Sequence, residues 1–384
     1  MNKKNSLFFD TSLIYFVVIM LFVGLRVFSN LVPVNAGGSV LLNFLIQIGF
    51  MFLVPLYLYK FLRKKKTKEV FKDFNVKKIN LKAVLLTIII GFIVYFLNLA
   101  IASFFNIFIY GTGYDPSFGM SSASTSYPTV NFIRDIIITA ILPGICEEFC
   151  HRGLLVNGYK QLDMKKTIIL VGFLFGLMHL NIEQFFYASV IGMFLTFLVY
   201  VTGSIIPSMI VHFMNNFMGL YLTFASFHNL PLGKFSEKLG NALINSDAVL
   251  AFVAIIFVVI LFLAFLAYLV FLLMKQTRVK QFTKLAEKAI EKKQREELFN
   301  EFNLNANEID KAEGKTDDDK MPEVIFQNRP NGLRGVIVDI NFSKNMLEGD
   351  YIIKKPSLKD KIFLYGTIFL GVVITISTLI WGIL

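Results

Sequence analysis

Apolar runs of about twenty residues recur along this chain, and each is long enough to cross about 30 Å of hydrocarbon as a helix. Of the 384 residues, 55% are hydrophobic and only 17% are charged. A water-soluble chain of this length could not bury that much apolar surface. The sequence therefore predicts an all-α, polytopic protein embedded in a lipid bilayer.

Nine such runs predict nine transmembrane helices in one bundle. The predicted spans cover about 12–34, 39–60, 83–109, 131–159, 166–180, 184–201, 204–226, 248–274 and 361–383. A long polar stretch separates the eighth span from the ninth. The predicted organisation has five regions. The N-terminal spans cover 1–130, the core helices 131–226, and an outer loop with the eighth span 227–274. The polar insertion covers 275–359 and the last span 360–384.

The net charge of +11 is concentrated in a few short loops. Because basic loops stay on the cytoplasmic side, Lys3–Lys4, the run 63–66 and the segment 160–166 are expected there. With nine spans, the N-terminus and the insertion 275–359 are then cytoplasmic, and the C-terminus lies outside the cell membrane. A membrane surface, rather than a nucleic acid, accounts for the basic charge.

The insertion has the sequence features of a separate region. Residues 276–303 mix Lys, Arg and Glu with spaced apolar residues, which is typical of an amphipathic helix on a membrane surface or against a partner. A linker follows at 317–320, and short strands are predicted at 324–326 and 336–338. This region offers a surface for a protein partner and carries no catalytic motif.

Ionisable side chains are costly to bury in a bilayer, so each one inside a span is a candidate functional residue. The fourth, fifth and seventh spans hold several of them, together with two asparagines: Glu147, Glu148, His151, Arg152, His179, His212, Asn215 and Asn216. A polar network that merely joins helices is the alternative. Two carboxylates, an arginine and histidines on three spans favour a chemical site.

Helical spacing suggests partners within this set. Glu148 and Arg152 are four residues apart, so the arginine can hold that carboxylate ionised on one helix face. Glu147 is turned about 100° away and is free for another task. His212 and Asn216 are also four residues apart, so we expect their side chains to point at one place.

Three short motifs occur in order on successive spans. Residues 147–152 match Glu-Glu-x-x-x-Arg, residues 175–179 match Phe-x-x-x-His, and residues 212–216 match His-x-x-x-Asn. The ordered set resembles the CAAX protease and bacteriocin-processing family, also called Abi. The resemblance covers about 130–220, and the insertion and the last span look like additions to the family core.

The resemblance implies an intramembrane endopeptidase. Glu147 and His179 would activate a water that attacks a peptide carbonyl, and His212 and Asn216 would stabilise the oxyanion. Glu148 and Arg152 would support the site. The implied substrate is a membrane-associated or lipidated peptide. A carboxylate in a low-dielectric site is a suitable general base, and converging N–H groups form an oxyanion hole.

Zinc is the competing mechanism, since two histidines and a glutamate form a known catalytic zinc set. No His-Glu-x-x-His sequence occurs, however, and the three motifs lack the usual compact ligand pair. Cys146 and Cys150 are expected to be small apolar packing residues. The prediction is therefore a site without metal or other cofactor.

A second class of function is a non-proteolytic membrane scaffold or regulator. It would bind a membrane enzyme or a sensor kinase through its spans or through residues 275–359. The complete motif set favours the protease, because a scaffold does not need those residues together. Gln47 and Asn98, also polar residues within spans, are expected to make interhelical hydrogen bonds.

Overall fold

The computed structural model describes residues 6–32, 36–115, 126–245, 250, 253–277, 324–327, 335–338 and 356–383. The predicted linker at 317–320 lies outside these residues, as does the predicted amphipathic helix at 276–303 beyond its first two positions.

Long helices dominate the described chain. They are α1 (Leu7–Leu31), α2 (Gly37–Arg63), α3 (Thr67–Asp73), α4 (Leu81–Gly111), α5 (Thr129–Tyr159), α6 (Met164–Met178), α7 (Ile182–Thr202), α8 (Ile206–Phe227), α9 (Pro231–Ile244), α10 (Val253–Thr277) and α11 (Leu358–Ile383). Each of the nine predicted spans coincides with one of the longer helices. The short helices α3 and α9 lie between them.

Within the described residues, seven helices are long and apolar enough to cross a membrane: α1 over Leu7–Ser29, α2, α4, α5, α7, α10 and α11. Length and composition thus support a multi-pass membrane protein with seven candidate spans, where the sequence predicted nine. The other two predicted spans correspond to α6 and α8, which are not among the seven. Helix α6 has only 15 residues, and α8 carries polar residues of the candidate site.

Two segments outside the spans also form regular structure. β1 (Val324–Gln327) and β2 (Gly335–Val338) pair antiparallel, with Val324 opposite Val338. Both predicted strands are confirmed, and each is one residue longer than predicted. The expected loop 227–247 contains α9, so most of it is helical.

Buried apolar side chains form two clusters. One joins α1, α2, α3, α5 and α6 around large residues such as Tyr15, Phe74 and Phe149. The other joins α4, α7, α8 and α10 around Leu195 and Val211. The polar residues of α5 and α8 lie among these apolar groups, so water reaches them only where the packing leaves space.

Glycines allow close helix crossings near the polar residues. A Cβ atom on Gly144 of α5 would lie 3.2 Å from Phe213 Cβ and 3.3 Å from the Met209 carbonyl oxygen of α8. A Cβ on Gly172 of α6 would lie 2.6 Å from the Met193 nitrogen of α7. Small residues let helix backbones approach in this way, and these crossings bring α8 against α5 and α7 against α6.

Contacts between helix termini define two ends of the bundle. At the first, which we call the basic end, Arg63 pairs with Asp10 at 3.0 Å, and the Asn80 amide donates to the Gln276 carbonyl at 3.2 Å. The Ile205 N–H also donates to the Asn75 carbonyl there, at 3.0 Å. The termini of α1, α2, α4, α8 and α10 therefore meet at this end.

The opposite end gathers the other helix termini. The Asp115 N–H donates to the Gly382 carbonyl at 2.8 Å, and His228 Nε2 donates to the Tyr127 carbonyl at 2.9 Å. The Ile182 N–H donates to Thr378 Oγ1 at 3.1 Å. Helix α8 thus runs from the basic end, at Ile205, to the opposite end, at His228.

Candidate active site

Helix α5 carries the glutamate pair between two π-helical segments, Ile136–Ile141 and Phe149–Leu155. Before Pro143, the Leu142 N–H bonds to the Ile137 carbonyl, five residues back. Proline has no N–H to continue the usual ladder, and π turns inside α-helices often occur at functional sites. The wider turns change which way the side chains of α5 face on either side of the glutamates.

Glu148 is fully buried, and one of its carboxylate oxygens accepts two hydrogen bonds. Its Oε1 accepts from Arg152 Nη1 at 2.7 Å and from His212 Nδ1 at 2.8 Å. The ion pair predicted from the four-residue spacing is confirmed. A carboxylate held in this way is a structural anchor between α5 and α8.

Arg152 is also fully buried and reaches a third helix. Its Nη2 donates to the Gly192 carbonyl of α7 at 2.9 Å, and its guanidinium lies 4.4 Å from the centre of the Phe175 ring of α6. The charge is therefore shared among a carboxylate, a carbonyl and an aromatic face. Arg152 joins α5, α6 and α7.

Glu147 has a different environment. It is 8% exposed, and its Oε1 accepts one bond from Gln47 Nε2 of α2 at 2.8 Å. No group among the described residues donates to its second oxygen, Oε2. Glu147 thus keeps an acceptor available within a site that is otherwise buried.

The three site histidines surround the Phe175 ring. The ring centres of His151, His179 and His212 lie 5.0, 5.1 and 5.6 Å from it, all edge to face. His179 Nδ1 donates to the Phe175 carbonyl at 2.9 Å, so the neutral imidazole would present a lone pair on Nε2. Glu147 lies within electrostatic range of His179.

His151 and Tyr15 hold the backbone beside Glu147. His151 Nδ1 donates to the Glu147 carbonyl oxygen at 2.8 Å, and its Nε2 lies 3.0 Å from the Tyr15 hydroxyl of α1. Both residues are buried. His151 therefore contacts the main chain of Glu147 and leaves its carboxylate free.

Asn216 is placed apart from this cluster. Its Nδ2 donates to the Thr139 carbonyl at 2.9 Å, and its Oδ1 accepts from Asn215 at 3.2 Å. Asn98 of α4 in turn donates to Asn215 at 3.0 Å, as expected of an interhelical bond. His212 and Asn216 both contact α5, but at Glu148 and Thr139, so the structure does not bring their side chains to one point.

The described residues contain no group of three or more His, Cys, Asp or Glu side chains that could hold a metal ion. Cys146 and Cys150 have free, buried thiols and belong to the first apolar cluster. Their location fits the predicted packing role.

A cavity of about 260 Å³ lies between α1 and α2, on the Gln47 side of the site. Its lining includes Arg26, Ser39, Asn43 and Ile46. Glu147 is not part of the lining, but Asn43 and Ile46 are one turn and one residue before Gln47.

Residues 129–218 match the family model described as type II CAAX prenyl endopeptidase Rce1-like. This Rce1-like segment runs from the start of α5 into α8 and contains all three motifs. The resemblance to the CAAX protease family is thereby confirmed over that stretch. No curated protein and no solved structure matches the chain.

Gln47 and Tyr15 were not identified as site residues from the sequence. Gln47 is a polar residue within a predicted span, and the sequence predicts an interhelical hydrogen bond for it. The bond exists, but its partner is Glu147, a hundred positions away. Tyr15 gave no signal, because one tyrosine in an apolar run is common at membrane interfaces.

Proposed function

We propose that this chain is an intramembrane endopeptidase of the CAAX-protease type, with Glu147 as the general base. The supporting observation is the contrast between two adjacent glutamates. Glu148 is fully buried and its Oε1 is bonded to Arg152 and His212, whereas Glu147 is 8% exposed and, among the described residues, is bonded only to a neutral amide. Chemistry on an incoming water requires the second kind of carboxylate.

In the proposed reaction, Glu147 takes a proton from a water as its oxygen attacks the peptide carbonyl. His179 lies within electrostatic range of Glu147 and supports this step, and the bond from its Nδ1 to the Phe175 carbonyl holds its ring in place. A positioned general base of this kind typically contributes about 10²–10⁴-fold to the rate. Glu147 then returns the proton to the leaving nitrogen.

His212 is proposed to stabilise the oxyanion, and its contacts set a condition for that role. Nδ1 carries a proton because its partner, the Glu148 carboxylate, can only accept. Nε2 therefore donates to an oxyanion only when the ring is doubly protonated. Asn216 would contribute its second amide N–H, because the first is bonded to Thr139.

The proposed substrate is a membrane-associated or lipidated peptide, and the proposed location is the cell membrane. The description of the matching family names prenylated CAAX peptides as the substrate class. Peptide N-termini in membranes from cells with wild-type protein and with Glu147→Ala, at matched expression, provide the test. Glu183→Ala, which removes a carboxylate at the opposite end of the bundle, is the control.

Termini that disappear with Glu147→Ala but persist with Glu183→Ala are the expected result. If no terminus changes while loss of the whole chain still alters the cells, proteolysis is refuted and the scaffold function takes its place. Pull-down through residues 275–359 would then identify the partner.

We also propose that the reaction needs no metal. The rate on a cleaved peptide should stay unchanged after treatment with a strong zinc chelator and dialysis. A loss of activity that added zinc restores would show that the histidines and Glu147 bind a metal during turnover.

A further inference from the structure

Gln47 contacts the Glu147 carboxylate from outside the Rce1-like segment. It lies in the π-helical part of α2, Leu45–Leu53, and it is only 7% exposed. The amide Nε2 donates to Glu147 Oε1 at 2.8 Å. This donor fixes one carboxylate oxygen and leaves Oε2 for another bond.

The other end of the Gln47 amide has no partner. Its Oε1 is buried, and no donor among the described residues reaches it. Leaving a buried acceptor unsatisfied costs about 1–3 kcal/mol, so such an atom usually marks a bound water or ligand. This unpartnered acceptor belongs to the same amide that bonds the carboxylate which the proposed function makes the base.

Bond lengths limit where that water can be. Gln47 Oε1 and Nε2 share one carbon, so Oε1 lies no more than about 5 Å from Glu147 Oε1. A single water can bridge two acceptors at that separation with two bonds of about 2.8 Å each. One water can therefore donate to the glutamine and to the glutamate together.

The cavity between α1 and α2 supplies room for water next to this position. Its volume of about 260 Å³ corresponds to several molecules, since each occupies about 30 Å³ in the liquid. Asn43 and Ile46 line it, one turn and one residue before Gln47. Ile46 is adjacent to Gln47 in the chain, although neither Gln47 nor Glu147 lines the cavity itself.

We propose that Gln47 is a catalytic residue that binds the reacting water together with Glu147, an inference that rests on the proposed function. One O–H of the water donates to Gln47 Oε1 and the other to Glu147. The water oxygen forms a bond to the peptide carbonyl carbon, the π electrons move to the carbonyl oxygen, and the proton goes to Glu147. As the C–N bond breaks, that proton moves to the leaving nitrogen, and Gln47 is unchanged.

A simpler role for Gln47 is a hydrogen bond that ties α2 to α5. That role predicts loss of thermal stability and of folded protein when the amide is removed, with substrate binding and turnover falling together. A water-binding role predicts a fall in kcat with KM nearly unchanged, because the substrate does not need the water in order to bind.

The experiment uses the full chain in lipid nanodiscs and a quenched, farnesylated peptide that ends in a CAAX sequence. The test variant is Gln47→Met, which keeps the side-chain length without the polar atoms. The matched control is Gln161→Met, the same substitution at a glutamine just after the end of α5, away from Glu147 and from the cavity. Glu147→Ala reports on the proposed function itself.

We expect Gln47→Met to lower kcat about 30- to 100-fold, up to the lower limit of the effect of a positioned general base, because Glu147 is still present. KM should stay within about twofold and the apparent Tm close to that of Gln161→Met, which should retain full activity. The water-binding role is refuted if Gln47→Met has the wild-type kcat, or if kcat, KM and Tm are all impaired. Either result leaves the proposed protease function standing. An inactive wild type, on this probe and on peptides found in cells, refutes the proposed function and this inference with it.

Discussion

Arg152 is the largest fully buried side chain of the molecule's described part, and its charge is balanced within the protein. Removing a charge from water is costly, and the cost is offset only by close partners with good geometry. Glu148, the Gly192 carbonyl and the Phe175 ring provide them. The two charges therefore depend on each other, and breaking the pair leaves a buried, uncompensated carboxylate.

Arg152→Ala should destabilise the fold by about 3–5 kcal/mol, the typical cost of breaking a buried ion pair. Folded yield and activity should fall together, as measured by thermal unfolding in detergent and by peptide cleavage. The double variant Glu148→Gln with Arg152→Met removes both charges and should recover much of the lost stability but little activity. Normal yield and activity for Arg152→Ala would show that the pair is dispensable.

Lys160, directly after the end of α5, is a partly buried cation whose effect on stability can be tested by changing the pH. Burial lowers the pKa of its ammonium group from 10.5 to about 8, and nearby Asp73 opposes part of this shift. A lowered lysine pKa means that the unfolded chain binds the proton more tightly, so stability should rise as pH increases from about 8 towards 10.5.

Lys160→Met should therefore raise the apparent Tm at pH 7, and this gain should shrink as the pH approaches 10. The measurement is thermal unfolding of both proteins across that pH range. Equal Tm values at pH 7 would contradict the burial cost, because the charged form would then be as stable in the fold as in water.

At the scale of elements, α6 and α8 depend on their neighbours more than the other long helices do. Neither is among the candidate spans defined by length and apolar composition, yet they supply His179 and His212. Gly172 brings α6 against α7, and Gly144 brings α5 against α8. Close backbone approach and polar bonds compensate for short length and polar composition.

Gly172→Ala tests this dependence. The added Cβ would lie 2.6 Å from a backbone nitrogen of α7, which cannot move aside as a flexible side chain can. The cost should be about 1–3 kcal/mol, with reduced activity because Gly192 of α7 also binds Arg152. Gly24→Ala is the control, since nothing lies within 4 Å of a Cβ there. Equal Tm values for the two variants would refute the role of the crossing.

Element positions were predictable from the sequence, and their internal geometry was not. Apolar run lengths located every long helix, and the motifs located Glu147, Glu148, Arg152, His179 and His212. The π-helical segments of α2 and α5 left no signal, because one extra residue per turn barely changes an apolar run. The Gln47 bond to Glu147 depends on how α2 packs against α5, which no local pattern encodes.

The prediction that the His212 and Asn216 side chains point at one place also shows what helical spacing cannot predict. Four-residue spacing places two side chains on one helix face, and both do contact α5. Spacing does not say what each will bond to, and Thr139 and Asn215 take the Asn216 amide. The proposed oxyanion role of Asn216 therefore relies on its remaining N–H group.

The molecule as a whole has two chemically distinct ends. Terminal contacts place the run Arg63–Lys66 and residues 75–80 at the basic end with the starts of α1 and α8, and they place Asp115, His228 and Gly382 at the opposite end. This grouping agrees with the alternation that the basic loops predict. We propose that the basic end faces the cytoplasm, as basic loops usually do.

Cysteine labelling tests that orientation. Lys68→Cys at the basic end and Phe227→Cys at the opposite end are both exposed positions. In intact cells a membrane-impermeant maleimide should label only Phe227→Cys, and Lys68→Cys should react after permeabilisation. The parent chain is the control, because its two cysteines are buried. Labelling of Lys68→Cys alone in intact cells would reverse the proposed topology.

Gln47 and Tyr15 reach the Glu147 region from the first two helices, outside the stretch that matches the family. The centre is thus a composite, assembled from the Rce1-like segment and from helices that precede it. A chain could keep the Rce1-like segment and vary the helices that precede it. The hydration of Glu147 and the shape of the entrance would then differ between such proteins, while all three motifs stayed the same.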